Sequence, residues 1–380
     1  MLLLKATEDL VIGGRPYTDF PILLWDDMTG CEPVNQFFRH YLLRGRVESK
    51  HTWVAVGQAL YDYFSFLQAN NLAWDGAVKA GHKDAVAAYR DYSRDEESHK
   101  RATLRLRLSF IIAFYEYCAR NALISHLPFA YEAKRTVSHS GFLAHAISTT
   151  EVVGADVMPK ADHALPRFLS REQVRHVLSV TKNPHHQMMI QFALQTGLRR
   201  AEIATFPLSA LANLQGLKTR NVKVELDPAA GEGQKTKGRQ RRTVWLPVPL
   251  MQDLHYYVKH YRDERARLST TIHKPLFLNS MGRPFAEDGK ALSRLFREIG
   301  DKADVHLHPH LLRHTYATHT LVALQRNPQL GIDPLVFLQR QLGHASINTT
   351  MVYLHIVQEM ADDAVLQYHD ELSLWGEDLE

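Results

Sequence analysis

Apolar residues recur at helical spacing in two long stretches near the start of the chain. In TWVAVGQALYDYFSFLQ, the residues that share one helical face are Val56, Leu60, Tyr63, Phe64 and Leu67. In HKRATLRLRLSFIIAFYEYCARN, the corresponding residues are Leu104, Leu108, Ile111, Tyr115 and Cys118. The polar side of the second stretch carries Lys100, Arg101 and Arg105. These patterns predict a small helical domain over residues 30–127 with one basic flank.

The segments on either side of this domain lack helical periodicity. Residues 1–29 contain Gly-Gly and Pro between short apolar runs, which favours an extended or irregular N-terminal extension. Residues 128–164 are rich in Ser, Gly, Thr and Pro without a sustained period, which predicts an interdomain linker.

A second ordered region follows over residues 165–356. Ser170 and Gln173 form the capping-box pattern of a helix start, and Gly197 breaks or bends a later helix. The alternating segments NVKVEL and RTVWLPV predict two strands, joined by the basic connection DPAAGEGQKTKGRQR. The predicted fold class is therefore α+β, mainly helical with a small antiparallel sheet.

Length predicts two domains, and cysteine content predicts an intracellular location. The chain has 380 residues, whereas single domains cluster at roughly 100–200 residues. Cys31 and Cys118 show no paired spacing, which favours a reducing, cytoplasmic compartment without a disulfide framework or cysteine metal site. The start, MLLLKATEDLVIGG, meets Lys5 and acidic residues too early for a signal peptide or membrane span.

Charge is unevenly distributed along the chain. The net charge is +4, yet residues 357–380 hold eight of the 41 acidic residues and no Lys or Arg. The remainder thus carries 45 basic against 33 acidic residues, a surplus of 12. Such a surplus fits either an ordinary basic surface or a polyanionic partner. The acidic tail also has apolar residues at helical spacing, which predicts an amphipathic helix whose apolar face can bind a partner.

Two basic motifs of the second region could act on an anion. In TGLRRAEI, Arg199 stands one helical turn from Glu202, which can hold its guanidinium in place. The connection between the predicted strands carries Lys235, Lys237, Arg239, Arg241 and Arg242. A hairpin of this kind is usually a solvated loop, but a lysine at its tip can deliver a proton to a leaving group.

Two histidine motifs follow. In HLHPHLLRHTYATH, His306 and His308 alternate as metal ligands on a strand can. Alternatively, His310 and Arg313 lie one helical turn apart and form a proton-transfer group beside an anion clamp. In LGHASINTTMVYLH, His344 precedes Tyr353 by nine positions. A phenol has a pKa of about 10 and is a poor nucleophile unless neighbours take its proton or stabilise its charge.

Taken together, these groups suit the attack of a phenol on a phosphodiester. Two guanidiniums can bind the non-bridging oxygens, and a lysine can protonate the departing sugar oxygen. In this order along the chain, TGLRRAEI, TKGRQRRTVWLP, HPHLLRHTYATH and LGHASINTTMVY resemble the four conserved boxes of the tyrosine recombinases, or phage-type integrases. The resemblance covers about residues 165–356, and residues 30–127 resemble the core-binding domain of that family more loosely.

The resemblance implies roles for individual residues. The catalytic set is Arg199, Lys237, His310, Arg313, His344 and Tyr353. Its arginines clamp the scissile phosphate, its lysine protonates the 5′-hydroxyl, its histidines assist proton transfer and phosphate binding, and its tyrosine is the nucleophile. Glu202 supports Arg199, and Lys235 is the alternative to Lys237. The implied DNA contacts are Lys100, Arg101, Arg105, Lys235, Arg239, Arg241 and Arg242.

The same resemblance implies a C-shaped clamp on duplex DNA that joins strands through a 3′-phosphotyrosine intermediate without metal or cofactor. The implied partners are recombination sites, further protomers in a tetramer reached through the acidic tail, and accessory DNA-bending proteins. Three alternatives keep part of this picture. A topoisomerase IB-like nicking and resealing enzyme needs the same residues, a DNA-binding protein needs no catalysis, and a histidine-metal hydrolase would bind zinc or manganese.

Overall fold

A computed structural model describes residues 1–44, 47, 49–76, 84–135, 151–161, 165–216, 218–327 and 331–358. The chain divides into two compact units, Met1–His163 and Ala164–Glu380. Of the acidic tail predicted over residues 357–380, all but the first two positions lie outside the described residues. No described helix is both long and apolar enough to cross a membrane.

The first unit is mainly helical. Its helices are α1 (Glu32–Phe38), α2 (Lys50–Ala69), α3 (Ala85–Asp95) and α4 (Arg101–Arg120). A π-helical segment, Arg39–Arg44, continues α1. The predicted apolar faces of α2 and α4 are buried along their whole length, and the two helices pack against each other. The free thiols of Cys31 and Cys118 are buried in the same core.

Short antiparallel strand pairs complete the first unit. The strands are β1 (Leu2–Lys5), β2 (Val11–Ile12), β3 (Arg15–Pro16), β4 (Pro21–Leu24), β5 (Tyr131–Arg135) and β6 (Glu151–Ala155). β1 pairs with β4, β2 with β3, and β5 with β6. Leu23 of β4 is fully buried, so the N-terminal stretch contributes to the core of the unit. The β5–β6 pair falls within the interval predicted as a linker. EVVGA does not alternate between apolar and polar residues, and YEAKR alternates over only four.

The second unit contains the helices α5 (Arg171–Val180), α6 (Pro184–Thr196), α7 (Arg200–Ala204), α8 (Val248–Tyr257), α9 (Asp263–Ala266), α10 (Lys290–Lys302), α11 (Pro309–Gln325), α12 (Pro334–Leu342) and α13 (348–358). Its strands are β7 (Asn221–Leu226) and β8 (Arg242–Pro247), which pair antiparallel from Asn221 opposite Pro247. The capping box at Ser170 and both strands are confirmed. The predicted fold class, mainly helical with small antiparallel sheets, is also confirmed.

Candidate active site

The C-terminal end of α12 gathers three arginines. The Gln341 carbonyl accepts a hydrogen bond from Arg242 Nη1. The Leu342 carbonyl accepts from Arg313 Nη2 at 2.6 Å, and the Gly343 carbonyl accepts from Arg199 Nη2 at 2.9 Å. The last carbonyls of a helix have no partner within the helix and carry its partial negative charge. This helix end therefore fixes three guanidiniums side by side.

Two glycines with positive φ allow this close approach. Gly197 ends α6 with φ +62°, and its carbonyl accepts from Arg313 Nη1 at 2.7 Å. Gly343 ends α12 with φ +63°, and a Cβ at that position would lie only 2.7 Å from Cδ of Arg242. Both turns thus need glycine for backbone conformation and for space.

Glu202 supplies the negative charge inside the arginine cluster. Its carboxylate is 1% exposed and accepts from Arg199 Nη1 at 3.2 Å and from Arg242 Nη2 at 2.6 Å. It also accepts from the backbone N–H of Arg199 at 2.7 Å. One carboxylate thus faces three guanidiniums, and the cluster keeps a positive charge that favours a bound anion.

Burial is nearly complete for one of these arginines. Arg313 is 2% exposed, and desolvation, followed by the charge of Arg199, lowers its pKa to about 9. Arg199 and Arg313 each use two N–H groups on the contacts given above, and a guanidinium has five. Both side chains therefore retain donors for the oxygens of a phosphate.

Tyr353 lies on α13 and is 2% exposed. Its ring packs in a small apolar cluster that includes Leu338 and Leu342. Its hydroxyl lies 2.9 Å from Nδ1 of His314. Burial raises the pKa of Tyr353, while the charges of Arg313 and Arg199 act in the opposite direction. The phenol is thus held beside an imidazole and within the field of the arginines.

Three imidazoles surround this tyrosine and the arginines. Burial, and next the neighbouring charges, lower the pKa of both His314 and His344 to about 3, so both rings are neutral at neutral pH. The His344 ring is parallel to Tyr353 with 6.4 Å between ring centroids, and its Nδ1 lies 2.9 Å from Oγ1 of Thr350. His310 lies 4.2 Å from His314 between ring centroids, and burial also lowers its pKa.

The two candidate lysines of the basic connection have different surroundings. Lys237 lines a cavity of about 280 Å³ together with Arg199, Arg242 and His344. Lys235 Nζ instead forms an ion pair with the Glu287 carboxylate at 2.8 Å. The structure thus brings Lys237, and not Lys235, to the arginine cluster.

The other basic residues singled out in the sequence differ in their surroundings. Arg241 lines the same cavity as Lys237 and pairs with Glu225, and Arg239 is exposed next to Gly238. In the first unit, Arg101 and Lys100 are exposed at the start of α4, and Arg105 donates to the carbonyl of Pro159.

Sequence reasoning missed two residues of the site. His314 follows Arg313 directly and stands one helical turn after His310, so the periodicity of α11 could have placed its ring beside the cluster. Gln341 is 1% exposed and joins α12 to the backbone N–H of Trp245 at 2.8 Å. No local pattern marks Gln341, because its partners lie far away in the sequence.

The histidines do not form a metal centre in the described residues. The rings of His306 and His308 lie 5.4 Å apart between centroids. Across the described ranges, histidines, cysteines and carboxylates do not gather in groups of three or more that could hold a metal ion.

Comparison with known proteins identifies the family. Residues 167–360 match the model of the phage integrase family. Tyrosine recombinase XerC of Bacillus subtilis is 23% identical, over 88% of this chain and 95% of its own. Tyrosine recombinase XerD of Oceanobacillus iheyensis is 26% identical, over 88% and 97%. The chain belongs to the phage integrase family.

Solved structures share the fold. XerH site-specific recombinase bound to palindromic difH substrate matches with a TM-score of 0.57 and 17% identity, over 88% of this chain and 85% of that one. The Tn1549 transposon integrase in complex with transposon right end DNA matches with a TM-score of 0.53 and 18% identity, over 84% and 94%. The predicted family and enzyme class are confirmed: the protein is a tyrosine-type site-specific recombinase, which cuts and rejoins DNA strands through a tyrosine.

Proposed function

We propose that Tyr353 is the nucleophile of this recombinase. Its phenolic oxygen attacks the scissile phosphorus, the bond from phosphorus to the 5′-oxygen breaks, and a 3′-phosphotyrosine link forms. A 5′-hydroxyl of a partner strand then reverses the step. The observation that carries this proposal is the 2.9 Å contact between the Tyr353 hydroxyl and the neutral His314 ring, beside two arginines with spare donors.

Arg199 and Arg313 bind the non-bridging oxygens of the scissile phosphate. Their positions are fixed before DNA binds. The Gly343 carbonyl and Glu202 hold Arg199, and two backbone carbonyls hold Arg313. Preorganised donors stabilise the charge that develops in the transition state without a cost of reorganisation. His344 lines the cavity that Arg199 shares with Lys237, and His310 lines the cavity that borders both Arg199 and Arg313, so each offers a hydrogen-bonding group on one side of the phosphate.

Two proton transfers balance the reaction. A phosphate bound by Arg199 and Arg313 offsets their positive charge and so raises the pKa of His314, which is low in the free protein. The phenolic proton can then move to Nδ1 of His314, which is unprotonated when the neutral ring carries its proton on Nε2. The departing 5′-oxygen takes a proton from the Lys237 ammonium, which lines the cavity beside Arg199.

The DNA partner and the assembly follow from this chemistry. Joining two recombination sites requires a cut in each strand of two duplexes, and each protomer carries one Tyr353. We infer a tetramer on paired sites, aided by accessory DNA-bending proteins, with Arg101 and Lys100 among the contacts to DNA phosphates. Two free, buried cysteines support action in the reducing cytoplasm.

The experiment is a covalent trapping assay. Nicked suicide duplexes tiled across the DNA that flanks the gene are incubated with the protein and separated under denaturing conditions. We expect a protein–DNA adduct with the wild type and none with Tyr353→Phe. Tyr257→Phe is the matched control, because Tyr257 is also buried and also lies near a histidine, at 3.1 Å from Nδ1 of His185. An undiminished adduct in Tyr353→Phe would remove Tyr353 from its role.

A further inference from the structure

A second cavity of cationic character borders the arginine cluster. Its volume is about 490 Å³, and Arg199 and Arg313 form one wall. Beyond this wall, the basic side chains that line it are Arg200, Arg297, His306, His308 and His310. None of the described Asp or Glu residues lines it. Glu202 offsets part of the charge of Arg199, and the cavity keeps a net positive charge next to the proposed site of the scissile phosphate.

The two arginines outside the catalytic set come from facing helices. Arg200 begins α7 directly after Arg199, and Arg297 lies on α10. Gly289 precedes α10 with φ +65°, and a Cβ there would lie 2.8 Å from the carbonyl oxygen of Arg200. The nearby carboxylate of Asp288 accepts from the backbone N–H of Lys290 at 2.9 Å and pairs with its ammonium. Close packing thus holds Arg200 and Arg297 across one cavity. The Asp288 carboxylate interacts mainly with Lys290 and offsets the charge of Arg200 only in part.

His308 presents a donor to the same cavity. Its Nδ1 accepts from the backbone N–H of Leu311 at 3.1 Å and so caps α11. A neutral ring that accepts at Nδ1 must carry its proton on Nε2. Burial lowers the pKa of His308, which favours this neutral form. The imidazole thus offers an N–H, and the positive end of the α11 dipole adds to the attraction for an anion.

We propose that this cavity is a second phosphate subsite, which binds the DNA backbone phosphate next to the scissile phosphate through Arg200, Arg297 and His308. Successive phosphates of one strand are separated by only about 3.4 Å along the helix axis. A strand whose scissile phosphate contacts Arg199 and Arg313 has a neighbouring phosphate on each side, and the opposite wall of this cavity is within reach of one of them. The inference rests on the proposed function for the position of the scissile phosphate.

The test combines a chemical change in the DNA with a charge change in the protein. Single phosphates around the cleavage position are replaced by neutral methylphosphonates, and Kd is measured in a Tyr353→Phe background where cleavage does not interfere. We expect one flanking position at which the replacement weakens binding about tenfold. In the added variant Arg297→Gln, the same replacement should change Kd less than twofold, because the charge partner is already gone.

Arg294→Gln is the matched control, since Arg294 is also exposed on α10 but does not line the cavity. It should keep the wild-type methylphosphonate profile. Equal penalties in Arg297→Gln and Arg294→Gln at every position would overturn the proposal. A second result would also overturn it: no methylphosphonate position changes Kd, while inorganic phosphate stabilises the protein only when Arg297 is present. The cavity would then bind a free anion and not a DNA phosphate. Loss of adduct formation by the wild type bears on Tyr353 instead and leaves this affinity measurement unaffected.

Discussion

Two buried tyrosine–histidine pairs lie in the second unit, and they differ in what surrounds them. The Tyr353 hydroxyl lies 2.9 Å from His314 Nδ1, and the Tyr257 hydroxyl lies 3.1 Å from His185 Nδ1. Burial raises the pKa of both tyrosines, that of Tyr257 to about 12. Burial also lowers the pKa of both histidines, to about 3 for His314 and about 4 for His185. The pairs themselves are thus nearly equivalent.

The arginines near each pair separate a catalytic arrangement from a structural one. The charges of Arg265 and Arg262 act on Tyr257, and the buried Arg262 donates three hydrogen bonds to loop carbonyls of residues 273–276. The charges of Arg313 and Arg199 act on Tyr353, and both of these side chains border a cavity. A phenol beside an imidazole becomes useful only where a nearby cation also remains accessible to the substrate.

The largest expected effect on the rate of adduct formation comes from removing the charge of Arg199, with removal of the Arg262 charge as the comparison. Arg199→Gln should lower the rate of adduct formation about 10²–10³-fold, because a preorganised donor to the phosphate is lost. Arg262→Gln should leave the rate per folded molecule unchanged and lower the free energy of unfolding by about 2–4 kcal/mol, since loop carbonyls lose their partners. Single-turnover cleavage and urea unfolding measure the two quantities. A slowed reaction in folded Arg262→Gln would erase the distinction between the pairs.

The histidines give the next largest effect. His314→Gln keeps a hydrogen bond to Tyr353 but removes the proton acceptor, so the cleavage rate should fall about 10²-fold, the lower end of the range for general base catalysis. The wild-type rate should show no step from the titration of His314 between pH 6 and pH 8, because its pKa is about 3. In the variant, the rate should instead rise with pH as hydroxide takes over the phenolic proton.

His185→Gln provides the matched control, since it breaks the equivalent pair near Arg262. It should keep the wild-type rate and pH profile while folded. A His314→Gln variant with reduced rate but an unchanged pH profile would assign His314 a positioning role without proton transfer.

Local patterns were sufficient to predict much of the fold. The α2 and α4 faces, the capping box at Ser170 and the β7–β8 pair all follow from periodicity or from residues three positions apart, and the structure confirms them. The sequences of β1, LLLK, and β6, EVVGA, do not alternate between apolar and polar residues, so no period marks them and their pairing depends on partner strands.

Motifs located the site, but its geometry depends on distant contacts. The motif around Arg199 shows that Glu202 can reach this guanidinium, three positions away. It does not show that Glu202 also binds Arg242, 40 positions later, or that the end of α12 holds both arginines and Arg313. The sequence groups Arg242 with exposed basic residues, whereas its surroundings depend on tertiary packing.

The smallest expected effect is on acid stability, and here the two pairs should behave alike. His185 and His314 have pKa values of about 4 and 3 in the folded unit, below the usual value of about 6.5 for an unfolded chain. The unfolded chain therefore binds protons first as pH falls. Stability from these rings is complete above pH 6.5 and declines below it, by about 1 kcal/mol per ring between pH 7 and pH 5.5 after allowance for solvent screening.

Urea unfolding at several pH values measures this decline, and His185→Gln and His314→Gln should each reduce its slope by a similar amount. If both variants reduce the pH slope of stability equally but only His314→Gln slows cleavage, burial sets the proton affinity of both rings. Accessible cations then decide which ring takes part in chemistry. A slope that neither substitution changes would mean that both rings take up protons in the folded unit, and the neutral His314 needed to accept the Tyr353 proton would be lost at mildly acidic pH.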